Sequence, residues 1–166
     1  MQATTHTVTV RPVTDADDAF LFALYAESRA QEMAQTGWSA EATRDFLKSQ
    51  FALQKRGYAT SYPGATYTIL QVDGIDGGRL TVDRQSDCLR LIDLLIASEW
   101  QGRGLGTDIL RALMHEAQGG KVPLRLSVAK GNPVQQLYAR LGFRVTGDIG
   151  QYWAMEWMPD LGPREV

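Results

Sequence analysis

Gln101-Gly102-Arg103-Gly104-Leu105-Gly106-Thr107 stands between an apolar run and a stretch of helical periodicity, and its chemistry decides how the rest of the chain is read. Three glycines fall within five residues. Successive backbone N–H groups can therefore turn toward one point with no Cβ atom in the way. The N-terminus of the helix predicted behind it adds unpaired donors and a partial positive charge. Arg103 adds a fixed cation, so the stretch is an anion cradle suited to a pyrophosphate. A nucleotide P-loop would end in Gly-Lys-Ser/Thr, which is absent. A dinucleotide fingerprint needs a third glycine where Thr107 stands. It also needs an acidic residue at the end of a following parallel strand, and Leu124 to Val128 offers none. The plain alternative is a tight strand-to-helix turn without a ligand; donors and an arginine in one place favour the cradle.

Outward from the cradle, Leu89 to Ala97 is a more continuously apolar strand than its neighbours and should be more central in its sheet. A helix is expected from about Gly106 to Ala117, with Leu105, Ile109 and Leu113 on one stripe, ended by Gly119-Gly120. Upstream, Thr7 to Val13 alternates as a first strand. Thr14 offers an N-cap, with Asp15, Asp17 and Asp18 in the first turn where acids suit the helix dipole. A second helix is expected from Ser39 to just before Gly57, followed by a Tyr- and Pro-rich connection to Tyr67. Tyr67 to Val72 and Arg79 to Asp83 are strands around the turn residues Asp73-Gly74 and Gly77-Gly78. Downstream, Leu124, Leu126 and Val128 alternate as a strand. Asn132-Pro133 opens a short helix closed by Gly142, and Phe143 to Val145 and Tyr152 to Met158 finish the sheet. The order β-α-α-β-β-β-α-β-α-β-β is a mixed α/β (α+β) domain with about four helices.

Composition narrows the function. The chain has 166 residues, 44% apolar and 22% charged, enough for one domain (1–166, core about 7–158) that buries roughly 70% of its unfolded surface. The net charge of -2 shows none of the basic excess of a nucleic-acid binder. Apolar stretches such as Leu94 to Ala97 are too short to cross a bilayer. Met1 to His6 lacks the charged start and apolar core of a signal peptide, which predicts a cytoplasmic protein. A single cysteine, Cys88, excludes an internal disulfide and a Cys-rich zinc site. With only His6 and His115, no metal site is expected.

The cradle resembles the signature of the GNAT superfamily of acetyl-CoA-dependent N-acetyltransferases, Gln/Arg-x-x-Gly-x-Gly/Ala, in Gln101, Gly104 and Gly106. A second family feature matches in Asn132 and Tyr138, followed by Leu141-Gly142-Phe143. The element order fits from Thr7 to Met158; the departure is Ser98, where many members have proline. The resemblance implies a mostly antiparallel sheet with one splayed parallel pair. It implies that acetyl-CoA lies with its pyrophosphate on Gln101, Gly102, Arg103, Gly104, Leu105, Gly106 and Thr107. Its pantetheine arm would run along Leu94, Leu95 and Ile96, with Asn132 both capping its helix and touching the cofactor. It also places Tyr138 as the acid that protonates the departing sulfur. A phenol of pKa near ~10 carries its proton at neutral pH; the alternative is a packing role beside Leu137 and Leu141.

Asp93 is read from the residues themselves. It interrupts Leu91-Ile92-Asp93-Leu94-Leu95, where a carboxylate is unfavourable unless paired or facing a cleft. It is therefore either the general base, the partner of Arg90 or Arg79, or a hydrogen-bonded structural residue. Glu99 beside the loop is expected to be solvated. Trp38, Tyr58, Tyr62, Tyr67, Tyr152 and Trp153 are candidates to flank the acceptor cleft of similar proteins, and aromatics can hold a cationic amine. The function expected is acetyl transfer to a primary amine of a small molecule or peptide, directly, in a ternary complex. A homodimer is one possible assembly, with no nucleic acid, membrane or metal. The alternatives are a non-catalytic CoA-binding sensor of the same fold and, disfavoured by Thr107, a dinucleotide-binding oxidoreductase fragment.

Overall fold

The computed structural model describes residues 4–163, so the first three residues of the Met1 to His6 stretch lie outside it. The strands are β1 (Val8–Pro12), β2 (Thr66–Val72), β3 (Ile75–Arg84), β4 (Leu89–Ile96), β5 (Leu124–Ala129), β6 (Arg144–Ile149) and β7 (Tyr152–Trp157). The helices are α1 (Asp18–Ala34), α2 (Ala40–Ser61), α3 (Leu105–Gly120) and α4 (Val134–Arg140), with 3-10 turns at Asp15–Asp17 and Ser98–Trp100. The sheet order is β1-β2-β3-β4-β5-β7-β6, mostly antiparallel with β4 and β5 as the parallel pair. The fold is the mixed α/β class the element order predicts, and the apolar β4 stands fourth of seven.

The chain divides into two compact units. The first comprises the chain up to Thr81 together with Asp93–Arg103. Its entry is fixed by charge: the Asp17 carboxylate accepts the Thr14 backbone N–H at 2.8 Å and both ends of the Arg11 guanidinium at 2.8 and 2.9 Å. Arg11 also donates to Asp76 at 2.8 Å. Asp18 then opens α1, one 3-10 turn later than Thr14 suggests. Tyr25 and Met33 of α1 are buried with Leu47 of α2, and Phe22, Phe46 and Phe51 pack around them. Ser39 caps α2, accepting the Ala42 N–H at 3.1 Å.

Two expectations fail in this unit. Helix α2 does not end at Gly57 but continues to Ser61. An interior glycine costs a helix only about 1 kcal/mol; Pro63, just beyond, cannot continue one. Gly77-Gly78 is not a turn but lies inside β3, the reversal being made by Asp73 and Gly74 with φ of 52° and 81°. The glycines are there for close approach. A Cβ on Gly78 would collide with the Leu95 carbonyl oxygen, and one on Gly77 would meet the Trp100 ring at 2.9 Å.

The second unit comprises Val82–Ile92 and the chain from Gly104 onward. Helix α3 buries Leu105, Ile109 and Leu113, the stripe the periodicity predicts, together with Leu110 and Ala117. It runs through Gly119-Gly120, contrary to expectation, and Lys121 takes the left-handed cap at φ 54°. In β5, Leu124, Leu126 and Val128 are buried while Arg125 and Ser127 face the other way. Its parallel register with β4 covers Leu89–Leu91 against Leu124–Leu126, whereas its antiparallel register with β7 runs the whole of Leu124 to Ala129.

Candidate active site

The quoted loop has the backbone its glycines allow. Gly102 and Gly104 are left-handed at φ 73° and 80°, and a Cβ on either would meet nothing within 4 Å. Gly104 is the residue before α3, and its carbonyl accepts the Asp108 N–H at 3.1 Å. The N–H groups of Leu105, Gly106 and Thr107 precede that first helical bond, and a glycine at the cap offers no side chain to satisfy them. Gln101 anchors the loop, its Nε2 donating to the Ile96 carbonyl at 2.8 Å. Arg103 is held with its guanidinium over the Trp100 ring, 5.0 Å from the centroid.

Leu94, Leu95, Ile96 and Gln101, expected to share a ligand, line one cavity of about 250 Å³ in the first unit. Glu27 of α1 belongs to the same wall, and sequence reading missed it. Its carboxylate accepts the Ser98 N–H at 2.6 Å and the Ser98 hydroxyl at 3.1 Å, fixing the chain where it leaves β4. The partners are 71 residues apart, so no local pattern signals the pairing.

Asp93 is found in an ion pair with Arg79, the second of the two partners expected for it. Burial pushes its carboxyl above the ordinary carboxylate range, against the pull of Arg79 and of the Leu94 backbone N–H. Arg79 is only 7% exposed. Its Nη2 also donates to Gln54 at 3.3 Å, and its Nε is buried without a hydrogen-bond partner among the described residues.

The second unit carries the other two site residues. Asn132, the residue before the Pro133 cap, accepts the N–H of Val134, the first residue of α4, on Oδ1 at 3.0 Å. Tyr138, half-buried on α4, packs against Phe143 with centroids 5.6 Å apart, and its carbonyl accepts the Phe143 N–H at 3.0 Å. Gly142 makes that reversal possible at φ 100°.

The aromatic candidates separate. Tyr58 and Tyr67 line a second cavity of the first unit together with Arg79. Tyr62 ends α2, its N–H donating to the Tyr58 carbonyl at 2.8 Å. Trp38 meets Phe46 edge-on at 5.3 Å, and Trp153 lies under Lys130 at 4.2 Å. Tyr152 is half exposed in β7, and Glu99 is exposed as expected. Cys88 is buried in the turn between β3 and β4. Among the described residues no cluster of three His, Cys, Asp or Glu forms, and no helix is long and apolar enough to cross a membrane.

Residues 7–144 match the family model described as the acetyltransferase (GNAT) domain. No curated protein matches the sequence significantly. Among solved structures, the chain is similar to the PaiA N-acetyltransferase of Thermoplasma acidophilum in complex with coenzyme A. The identity there is 20%, with 92% of this chain and 99% of that one covered at a TM-score of 0.67. It is similar to an acetyltransferase of Thermus thermophilus at 23% identity, covering 90% and 95% at a TM-score of 0.61. It is also similar to RimL, a ribosomal alpha-N-protein acetyltransferase in complex with coenzyme A, at 19% identity, covering 96% and 98% at a TM-score of 0.61.

Proposed function

Because the chain belongs to the GNAT acetyltransferase family, we propose that it moves an acetyl group from acetyl-CoA directly to a primary amine in a ternary complex. The observation that carries this is the loop from Gln101 to Thr107. Left-handed Gly102 and Gly104 feed an uncapped helix start, and Gln101 belongs both to the loop and to the cavity of Leu94, Leu95 and Ile96. The N–H groups of Leu105, Gly106 and Thr107 would hold a pyrophosphate, with Arg103 near it as a cation. Coenzyme A bound in PaiA and RimL supports the same ligand here. The family match takes in residues of both units, which supports one acetyltransferase domain with a core of about 7–158.

Acetyl-CoA supplies the activated acetyl group; the chain must supply proton management. An alkylamine with a pKa near ~10.4 attacks only after losing a proton. Asp93 is the carboxylate proposed to receive it: burial raises its proton affinity, and Arg79 holds it in place. Tyr138 is proposed as the acid for the leaving thiolate, and Asn132 orients the start of its helix.

The Asp93–Arg79 pair also favours one second reading, a CoA-binding sensor without turnover, because an ion pair already occupies the carboxylate proposed as base. A panel of primary amines assayed for free CoA release decides between them. Release with at least one amine supports the transferase. No release from any, with CoA still raising the melting temperature, makes the chain a sensor.

A further inference from the structure

A cavity of about 330 Å³ opens in the first unit between the start of α1, the second half of α2, and strands β2 and β3. That is the size of a small-molecule site. Its walls are apolar and aromatic, with Leu21, Phe51, Tyr58 and Tyr67. One buried cation, Arg79, belongs to the wall. Its Nη2 serves Gln54 and Asp93, while its Nε is buried with no hydrogen-bond partner among the described residues. An unmet buried donor is unfavourable, and with Nη2 taken by Gln54 and Asp93, Nε is the Arg79 donor left for a charge-assisted hydrogen bond from a ligand carboxylate.

We infer that this cavity is the acceptor pocket and takes an α-amino acid with an apolar or aromatic side chain, its carboxylate on Arg79. The inference rests on the acetyl-transfer reading above. Arg79 also holds Asp93, the residue before Leu94, Leu95 and Ile96. A carboxylate on this guanidinium therefore brings the amine of the same α-carbon toward the carboxylate proposed to deprotonate it. The side chain is left to the aromatic wall. At the mouth stand Asp15 and Asp18, the latter 3.6 Å from Lys55. Asp15 beside the Asp18–Lys55 pair leaves net negative charge there, which disfavours the acidic side chains of aspartate and glutamate. An amine without a carboxylate leaves Arg79 Nε as it stands, and binds less well.

The test is calorimetry on the full chain with CoA present. The probes are L-phenylalanine, L-leucine and L-methionine, each against the amine left by removing its carboxylate. At least one amino acid is expected to bind tenfold or more tightly than its amine. Ala59→Trp, at an exposed position on the cavity wall, should fill the pocket and weaken that binding at least tenfold while the CoA-induced rise in melting temperature persists. Arg79→Lys keeps a cation for Asp93 but removes the Nε donor, and should bring amino acid and amine within about threefold. Three amino acids that fail to bind, three amines that each bind as tightly as their amino acids, or a folded Ala59→Trp with unchanged binding would each overturn the assignment. Failure of the acetyl-transfer reading looks different: no thermal shift with CoA and no CoA release from any amine.

Discussion

Arg11 and Asp17 form a doubly hydrogen-bonded ion pair of the first unit, and Asp17 is 6% exposed. The Arg11 hydrogen bonds, then the Thr14 N–H, hold the Asp17 carboxyl well below the usual carboxylate range. A folded-state pKa below the unfolded one adds stability above the ordinary aspartate value of ~3.9, and that stability is lost as the pH falls below it. Asp17→Asn should therefore melt below the wild type at pH 7, with the gap narrowing as melts are repeated from pH 5 toward pH 3. A gap independent of pH would assign Asp17 a purely steric role. Tyr138 makes the sharper functional prediction. Phe keeps the ring on Phe143 and removes only the hydroxyl. General acid help is worth about 10²–10⁴-fold. A thiol near pKa ~8.5 already leaves tolerably, so turnover should fall toward the lower end of that range with acetyl-CoA affinity nearly unchanged. A folded Tyr138→Phe with wild-type turnover, where chemistry limits the rate, removes Tyr138 as the acid. Loss of acetyl-CoA binding instead makes it part of the pocket wall.

At the scale of elements, the junction of loop and α3 is where backbone shape and proposed binding coincide. Gly104 has φ 80° and room for a Cβ. Valine therefore fits the space but not the conformation, a strain of roughly 1–2 kcal/mol. Gly104→Val should fold with a modestly lower melting temperature and lose the thermal shift given by acetyl-CoA, because the branched side chain occupies the space in front of the donors. Retention of the full shift would put the pyrophosphate elsewhere. Gly57 and Gly77-Gly78 show why glycine alone is an ambiguous sign. In α2 it is tolerated inside a helix, and in β3 it admits the Leu95 carbonyl and the Trp100 ring. Both neighbours are distant in sequence from the glycines they require.

For the whole molecule, the proposal makes stability a function of ligand concentration. A ligand that binds only the folded chain adds about 2.7 kcal/mol at one hundred times its Kd. Acetyl-CoA and CoA should raise the melting temperature in step with their concentration, and NAD should not, since Thr107 stands where a dinucleotide loop needs glycine. Differential scanning fluorimetry with the three ligands side by side checks this. A comparable shift with NAD would reopen the dinucleotide reading.

What the sequence determined by itself is local and periodic. The alternation in Leu124 to Val128, the stripe of α3, the cap at Ser39 and the turn at Gly142 all follow from contacts within a few residues. The left-handed turn into α3 was legible for the same reason, because the glycines and the helix start are consecutive in the chain. The choice of partner for Asp93 was not. Arg79 and Arg90 are equally available in sequence, and only the fold seats Arg79 against Asp93 and in the wall of a cavity. Glu27 was invisible because Ser98, its partner, is brought to it by the packing of α1 beside the end of β4. Pairings of buried charge are set by which residues lose water together, and that is decided only when distant segments close over the same space.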